Sequence, residues 1–97
     1  MLNSKQRARL ASLAATLDPV VRLGKAGADD GVAATLDKAL ADHELVKLRF
    51  VDFKDDRKEL SRALAERCAA ELVRVIGNVA VFYRQSPDPD KRTIALD

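Results

Sequence analysis

Apolar side chains recur with helical spacing near the start of the chain. They stand at the i, i+3, i+4 and i+7 positions that form one face of a helix, which predicts a first helix over residues 4–17. Asn3 or Ser4 is placed to cap its first amides. Asp18-Pro19 ends it, because a residue before proline disfavours the helical conformation. The positions predicted to face inward are Leu10, Leu13, Ala14 and Leu17.

Short apolar runs predict four strands. The first is β-branched and covers residues 20–23. In the second, residues 45–51, Lys47 and Arg49 alternate with apolar side chains, as in a strand with one wet face. Two further runs, 71–76 and 79–84, flank Gly77-Asn78, a pair that favours a two-residue hairpin turn.

Two more helices are predicted between these strands. One starts at a cap on Asp29 or Asp30 and runs to about Asp42, with Val32, Leu36, Ala39 and Leu40 inward. The other covers residues 59–70. It follows a polar loop that ends at Asp55-Asp56, where an acidic side chain is predicted to cap the helix. The order α-β-α-β-α-β-β predicts an α/β fold, in which a four-stranded mixed sheet packs with three helices. We expect one domain over residues 1–84 and an extended or mobile tail over residues 85–97.

Composition narrows the class of protein. With 97 residues, 47% hydrophobic and 33% charged, the chain is typical of one folded soluble domain. It has no apolar run that would span a bilayer and no secretory signal, so we expect a cytoplasmic monomer without a membrane partner. Cys68 is the single cysteine and is expected to be a small buried hydrophobe. With one cysteine and one histidine, neither a metal site, a cofactor nor a small-molecule substrate is predicted, and no residue set predicts an enzyme.

The basic residues are unevenly distributed along the chain. Residues 1–25 hold five basic groups and one acid, a net charge of +4. Residues 26–66 hold seven basic groups and ten acids, a net charge of −3. Residues 67–97 add +1, so the total is only +2. We therefore expect a polarised molecule whose basic end includes the glycine-containing segment 24–27.

The segment Gly24-Lys25-Ala26-Gly27 is the best candidate for chemistry. Glycines there permit backbone angles and a close approach that a Cβ would forbid. The following helix start offers unpaired amides to an anion, and Lys25 adds a mobile positive charge. A GxxG loop of this kind clamps single-stranded nucleic acid in the KH fold. The alternative is a tight strand-to-helix turn without a ligand. A Walker A loop and a dinucleotide fingerprint are both absent.

Several ordered motifs resemble one known family. They are LNSKQR at 2–7, LDPVV at 17–21, LGKAG at 23–27, AL with HELVKL at 39–48, and VIGN with VFYR at 75–84. Together they are similar to the CRM domain, the chloroplast RNA splicing and ribosome maturation family, and most of all to its bacterial stand-alone YhbY-like group. Where family members commonly carry a larger apolar residue and then Thr or Ser after the loop, this chain has Ala28-Asp29. That carboxylate either weakens the loop's affinity for RNA or serves as a stronger helix cap.

The resemblance implies RNA binding and association with precursors of the large ribosomal subunit. A protein–protein interaction domain of a ribosome-associated assembly is the alternative. Tyr83 is a weaker candidate for stacking on a base, and Lys47 and Arg49 either line a binding surface or form a wet strand face. The family's loop falls on Gly24, Lys25, Ala26 and Gly27, and basic side chains predicted to line the RNA are Lys5, Arg7, Arg9 and Arg22.

Overall fold

The computed structural model describes residues 2–96 and contains the predicted order of elements. Two short 3₁₀ turns, Lys54–Asp56 and Pro89–Lys91, supplement that order. The helices and strands are α1 Ser4–Ala14, β1 Val21–Leu23, α2 Asp30–His43, β2 Leu45–Phe50, α3 Arg57–Arg67, β3 Glu71–Ile76 and β4 Val79–Tyr83.

The four strands form one mixed sheet in the order β1-β2-β4-β3. β1 runs parallel to β2, whereas β4 runs antiparallel to both of its neighbours. Helices α2 and α3 cover one face, where Leu36, Leu64 and Phe82 belong to the larger apolar core. Helix α1 covers the other face, where Leu10 packs with Tyr83 in a second, smaller core. The predicted α/β fold class is therefore confirmed.

Helix α1 is shorter than its apolar pattern predicts. It begins at a capping box between Asn3 and Gln6, and it ends at Ala14 instead of Leu17. Leu10 and Ala14 are buried, but Leu13 and Leu17 are about 40% exposed (39% and 40%), so their predicted inward positions are wrong. A lone helix on a sheet buries only a narrow stripe, and Leu13 lies about 60° around the helix from Leu10. Leu17 follows the helix in the segment that leads to Pro19.

Helix α3 differs from the prediction at both ends. It starts at Arg57, and Asp56 makes no side-chain hydrogen bond to the helix, so the predicted acid cap there is wrong. It ends at Arg67 rather than Ala70, because Ala69 adopts a left-handed backbone with φ of 52°. Cys68 follows the helix and is 5% exposed, which confirms its prediction as a buried side chain.

The β3–β4 hairpin confirms the turn predicted from Gly77-Asn78. Ile76 pairs with Val79, so Gly77 and Asn78 alone join the strands. Gly77 has a φ of 55°, a conformation in which a side chain is strained. The guanidinium of Arg57 donates to the Asn78 Oδ1 at 2.8 Å, which ties the start of α3 to this turn.

The segment after Tyr83 contains no strand in its described part, but it lies against the domain. Ser86 is buried, and Ile94 and Leu96 pack against the smaller core. The Glu44 carboxylate accepts hydrogen bonds from the amides of Ser86 at 2.6 Å and Thr93 at 2.7 Å. These contacts hold the described part of the tail against the domain, while its predicted mobility stays a prediction. None of the helices within residues 2–96 is long and apolar enough to cross a membrane.

Candidate functional site

Strand direction defines two opposite edges of the sheet. β1, β2 and β3 run the same way, so their carboxyl ends meet at one edge, together with the start of β4. We call this the loop edge, and it comprises residues 24–29, 51–56 and 77–78. The opposite edge carries Glu44, the start of β3 and the chain after Tyr83, and we call it the tail edge.

The glycine segment forms a tight turn at the loop edge. The Gly27 amide donates to the Gly24 carbonyl oxygen at 2.9 Å. Gly27 has a φ of 71°, so the fold itself requires glycine there. Gly24 differs, because a Cβ built on it would meet no atom within 4 Å. The protein's own packing therefore gives no reason for glycine at Gly24, although a closely approaching ligand would.

Lys25, at the tip of this turn, is exposed. It has no hydrogen-bond or ion-pair partner among residues 2–96. Ala26 beside it is also exposed, so the tip of the turn is open to solvent on both residues. The ammonium group is therefore available to an external anion without giving up an internal contact.

The start of α2 is less open to an anion than its sequence suggests. Asp29 caps the helix as predicted, and its Oδ1 accepts from the Val32 amide at 2.9 Å. Asp30 in the first turn forms an ion pair with Arg67, and this hydrogen bond and charge lower the pKa of the Asp30 carboxyl. The Asp29 carboxylate thus takes up one amide of the helix start and Asp30 adds a second negative charge beside it, while the anion site on the remaining amides stays a prediction. The glycine turn and Lys25 are left as the open part.

Phe53 is the feature of this edge that the sequence analysis missed. Its ring lies against the glycine turn, since a Cβ on Gly27 would come within 3.5 Å of Phe53 Cε2. The residue is 38% exposed, whereas Phe50, Phe82 and Tyr83 are each at most 4% exposed. The weaker prediction that Tyr83 stacks on a base is therefore wrong. The only sequence signal for Phe53 was an aromatic residue standing alone among charged ones.

Two arginines lie side by side on the sheet below the glycine turn. Arg22 of β1 is in register with Arg49 of β2, and the same row continues through Val79 to Ile76. Paired residues point to the same face, here the face of α1. Both guanidinium groups are exposed and have no partner within the described residues, and Ile76 is 54% exposed. Helix α1 therefore leaves this end of the face uncovered.

Lys47 and Arg49 were predicted with two alternatives, and the structure separates them. Lys47 is half-buried, and its Nζ donates to the Leu17 carbonyl oxygen at 2.9 Å. It therefore fixes the chain between α1 and β1. Arg49 remains free beside Arg22 and belongs to the open surface.

The basic residues of α1 lie away from the glycine turn. The guanidinium of Arg7 donates to the carbonyl oxygens of Leu72 and Val73, the latter at 3.1 Å, at the start of β3. Arg9 donates to the Ala95 carbonyl oxygen at 3.0 Å. The rows of the sheet at Leu45 and Arg49 are roughly 13 Å apart. The structure therefore brings Arg22 together with the turn but places Lys5, Arg7 and Arg9 towards the tail edge.

Groups that could act in catalysis are few in the described part. Burial raises the pKa of the Cys68 thiol, which donates to the Ala33 carbonyl oxygen at 3.6 Å. A thiol held in this way is a poor nucleophile at neutral pH. Residues 2–96 contain no group of three His, Cys, Asp or Glu side chains that could hold a metal ion.

The described residues form a small α/β sandwich that carries a cationic glycine turn and an open arginine row. The CRS1 / YhbY (CRM) domain profile matches residues 2–84, so the chain belongs to this family. That match confirms the resemblance seen in the motifs.

Individual relatives cover most of the chain. The Pseudomonas aeruginosa protein named "Probable RNA-binding protein PA4753" is 36% identical over 91 residues, 93% of this chain and 88% of its own length. The Bacillus subtilis protein named "Probable RNA-binding protein YqeI" is 33% identical, over 91% of this chain and 93% of its own. The solution structure of the hypothetical Staphylococcus aureus protein SAV1595, described as a candidate RNA-binding protein, has a TM-score of 0.81 and 37% identity. That match covers 98% of this chain and 100% of SAV1595.

Proposed function

We propose that this protein binds RNA through the loop edge and acts on ribosomal RNA in precursors of the large subunit, without catalysis of its own. Family membership and the names of the relatives support RNA as the partner. The ribosomal target rests on the family resemblance. The proposal includes a monomer in the cytoplasm. It assigns the main RNA contacts to residues at and beside the glycine turn, namely Gly24, Lys25, Ala26, Gly27, Arg22 and Arg49. A second contact, farther from the turn, is assigned to Lys5, Arg7 and Arg9.

One observation carries the assignment to the turn. Gly24 is a glycine with open space where a Cβ would stand, next to the unpaired Lys25. A glycine that the fold does not need is explained by a phosphate backbone that passes within van der Waals distance. Arg22 and Arg49 supply further positive charge on the adjoining face, where neutralised phosphates would release their counterions.

The test uses the openness of Gly24. Because a Cβ there meets no atom within 4 Å, Gly24→Val should leave the unfolding midpoint nearly unchanged while it obstructs the RNA. We expect roughly tenfold weaker binding of a large-subunit rRNA transcript. Lys25→Glu should weaken binding further and flatten the salt dependence by about one unit of slope. Lys38→Glu, an equal charge change on the exposed side of α2, is the matched control. Unchanged binding by both turn variants would remove the turn from the site.

The ribosomal target needs its own experiment. Crosslinking in cells, followed by mapping of the attached RNA, should return large-subunit rRNA, and the protein should sediment with precursor particles rather than with mature subunits. Recovery of unrelated RNAs would leave an RNA-binding protein with another target. Size-exclusion chromatography of the purified protein tests the monomer, and cell fractionation tests the compartment.

A protein partner is the second candidate, and one observation favours it. Leu13, Leu17 and Val20 are exposed and line one concave surface beside α1. Exposed apolar side chains that share a surface are typical of protein contacts. A partner that stays bound after complete RNA digestion, and that Leu17→Ser releases, would support this function.

A further inference from the structure

The exposed side chain of Phe53 lies where the proposed RNA backbone passes. Three atoms of its ring, Cδ2, Cε2 and Cζ, lie within 4 Å of the position of a Cβ on Gly27. Lys54 follows it and is exposed, and Lys25 stands two residues before Gly27. An aromatic surface and two positive charges therefore share the loop edge.

The chain around Phe53 holds the ring in this position. Phe53 has a φ of 56° and a ψ of 38°, a left-handed conformation that is uncommon for a bulky residue. The Asp52 carboxylate accepts the Phe53 amide at 2.7 Å, and the Phe53 carbonyl oxygen accepts the Asp56 amide at 3.1 Å. An apolar side chain could have turned into the core, as Phe50 does. The local hydrogen bonds instead keep Phe53 at the surface against the glycine turn.

We propose that Phe53 stacks on an unpaired nucleobase whose phosphate lies at Lys25 and the Gly24 turn. This inference rests on the proposed function and names its ligand as single-stranded RNA. Bases inside a duplex are already stacked and paired, so their faces are closed to a side chain. Stacking on an aromatic ring tolerates any base, and it is combined in other single-strand-binding proteins with a cationic track along the backbone. The loop edge has both parts.

The alternative role of Phe53 is to shape the turn. In that case the ring only packs against Gly27, and any apolar side chain of similar size would serve. Phe53→Leu separates the two roles, because leucine retains apolar contact with Gly27 but has no π face. Phe53→Trp restores a π face. Leu17→Ala is the control, since Leu17 is exposed and apolar but lies between α1 and β1, outside the loop edge and the arginine row.

The experiment measures binding of a ten-nucleotide single-stranded RNA and of the same sequence as a duplex. We expect Phe53→Leu to weaken single-strand binding roughly 5- to 150-fold, the range found when a stacked base loses its aromatic partner. Phe53→Trp and Leu17→Ala should bind the single strand within about twofold of wild type, and duplex binding should not respond to Phe53→Leu. An oligonucleotide with one 2-aminopurine should lose fluorescence on saturation with wild type but not with Phe53→Leu.

Several outcomes would overturn the inference. Wild-type single-strand affinity and fluorescence quenching in Phe53→Leu would show that the ring does not stack. Equal losses for single strand and duplex would assign Phe53 to shaping the turn. If Gly24→Val and Lys25→Glu weaken binding while Phe53→Leu does not, the proposed function stands and stacking fails. If the wild-type protein binds none of these RNAs, or the large-subunit transcript, both fail together. Unfolding midpoints of all variants exclude loss of the fold as the cause.

Discussion

Charged side chains at the two edges of the sheet differ in whether they have a partner within the protein. At the tail edge, Arg84 donates to Asp37 at 2.6 Å and to the Cys68 carbonyl oxygen at 2.8 Å, and Glu44 is satisfied by the tail. At the loop edge and on the adjoining face, Lys25, Arg22 and Arg49 have no partner in the described chain. Arg84 and Glu44 therefore serve stability at the tail edge, whereas Lys25, Arg22 and Arg49 are uncommitted cations at or beside the loop edge. The protein therefore has a local excess of positive charge near the loop edge although its net charge is only +2.

Glu44 shows how the tail edge uses a charge. The residue is 2% exposed, and burial by itself would raise the pKa of its carboxyl. Hydrogen bonds from Ser86 and Thr93 stabilise the charged form more strongly, and the pKa is lowered overall. An ionised, buried carboxylate therefore closes the loop between residues 86 and 93 against the start of β2.

Removal of the Glu44 side chain should release the contacts of the tail edge and give the largest loss of stability. Glu44→Ala leaves the amides of Ser86 and Thr93 without their acceptor, and we expect the free energy of unfolding to fall by about 2–4 kcal/mol. Urea denaturation measures it. Asp42→Ala, which removes an exposed acid near the end of α2, should change stability by less than ~0.5 kcal/mol. Equal stability of the two variants would contradict the anchoring role of Glu44.

Acid should reproduce part of this effect. The pKa of Glu44 is lower in the folded protein than its ordinary value of 4.5 in the unfolded chain. Its contribution to stability is therefore complete above that value and disappears as the pH falls through the folded pKa. The protection of the Ser86 and Thr93 amides against hydrogen exchange, relative to the intrinsic exchange rate at each pH, should therefore fall as acid protonates Glu44. The exchange of Leu48, in the centre of the sheet, should change less. An equal loss of protection at all three amides would indicate global unfolding instead.

Loss of the arginine row should affect binding without affecting stability. Arg22→Ala and Arg49→Ala each remove one unpaired guanidinium, and together they should weaken RNA binding about tenfold and reduce the salt slope by about two units. Thermal unfolding should stay within ~0.5 kcal/mol of wild type. The matched variant Arg62→Ala removes an exposed arginine of α3. A loss of affinity as large with Arg62→Ala would show that overall charge, rather than the open row, determines binding.

Substitution of the two glycines of the turn should give the smallest change in stability, and it should distinguish a glycine that the fold requires from one that a ligand requires. Gly27→Ala places a side chain in a left-handed conformation and should cost about 1 kcal/mol of stability. Gly24→Ala should change stability by less than ~0.5 kcal/mol, because its Cβ meets open space. Thermal denaturation measured side by side decides this. If Gly24→Ala is the more destabilising of the two, then the fold requires glycine there and the argument for a ligand is lost.

Local signals made much of the fold predictable. The hairpin at Gly77-Asn78, the cap at Asp29 and the alternation around Lys47 each depend on neighbours in sequence, and all three are present. Errors occur where distant contacts decide. Leu13 has helical spacing, but a single helix on that face buries too narrow a stripe to include it.

The candidate site was predictable only in part, for the same reason. The glycine turn and Arg22 follow directly along the chain, so their proximity was readable from the sequence. Phe53 joins them through a loop after a different strand, and Arg49 joins them through strand register. Lys5, Arg7 and Arg9 are close to the turn in sequence but are carried towards the other edge by the direction of α1. Separation along the sequence was therefore a poor guide to which residues lie near the turn, both for distant residues that join it and for nearby residues that do not.

The packing of Leu2 and Leu96 into the same small core has a practical consequence. Both described ends of the chain leave the domain near the tail edge, where Arg9 also holds Ala95. A fluorophore, affinity tag or surface linker attached next to Leu2 or Leu96 starts near the edge of the sheet opposite Gly24. Immobilised or labelled protein should therefore present the glycine turn outward, so that single-molecule and surface-binding measurements report on an unobstructed site.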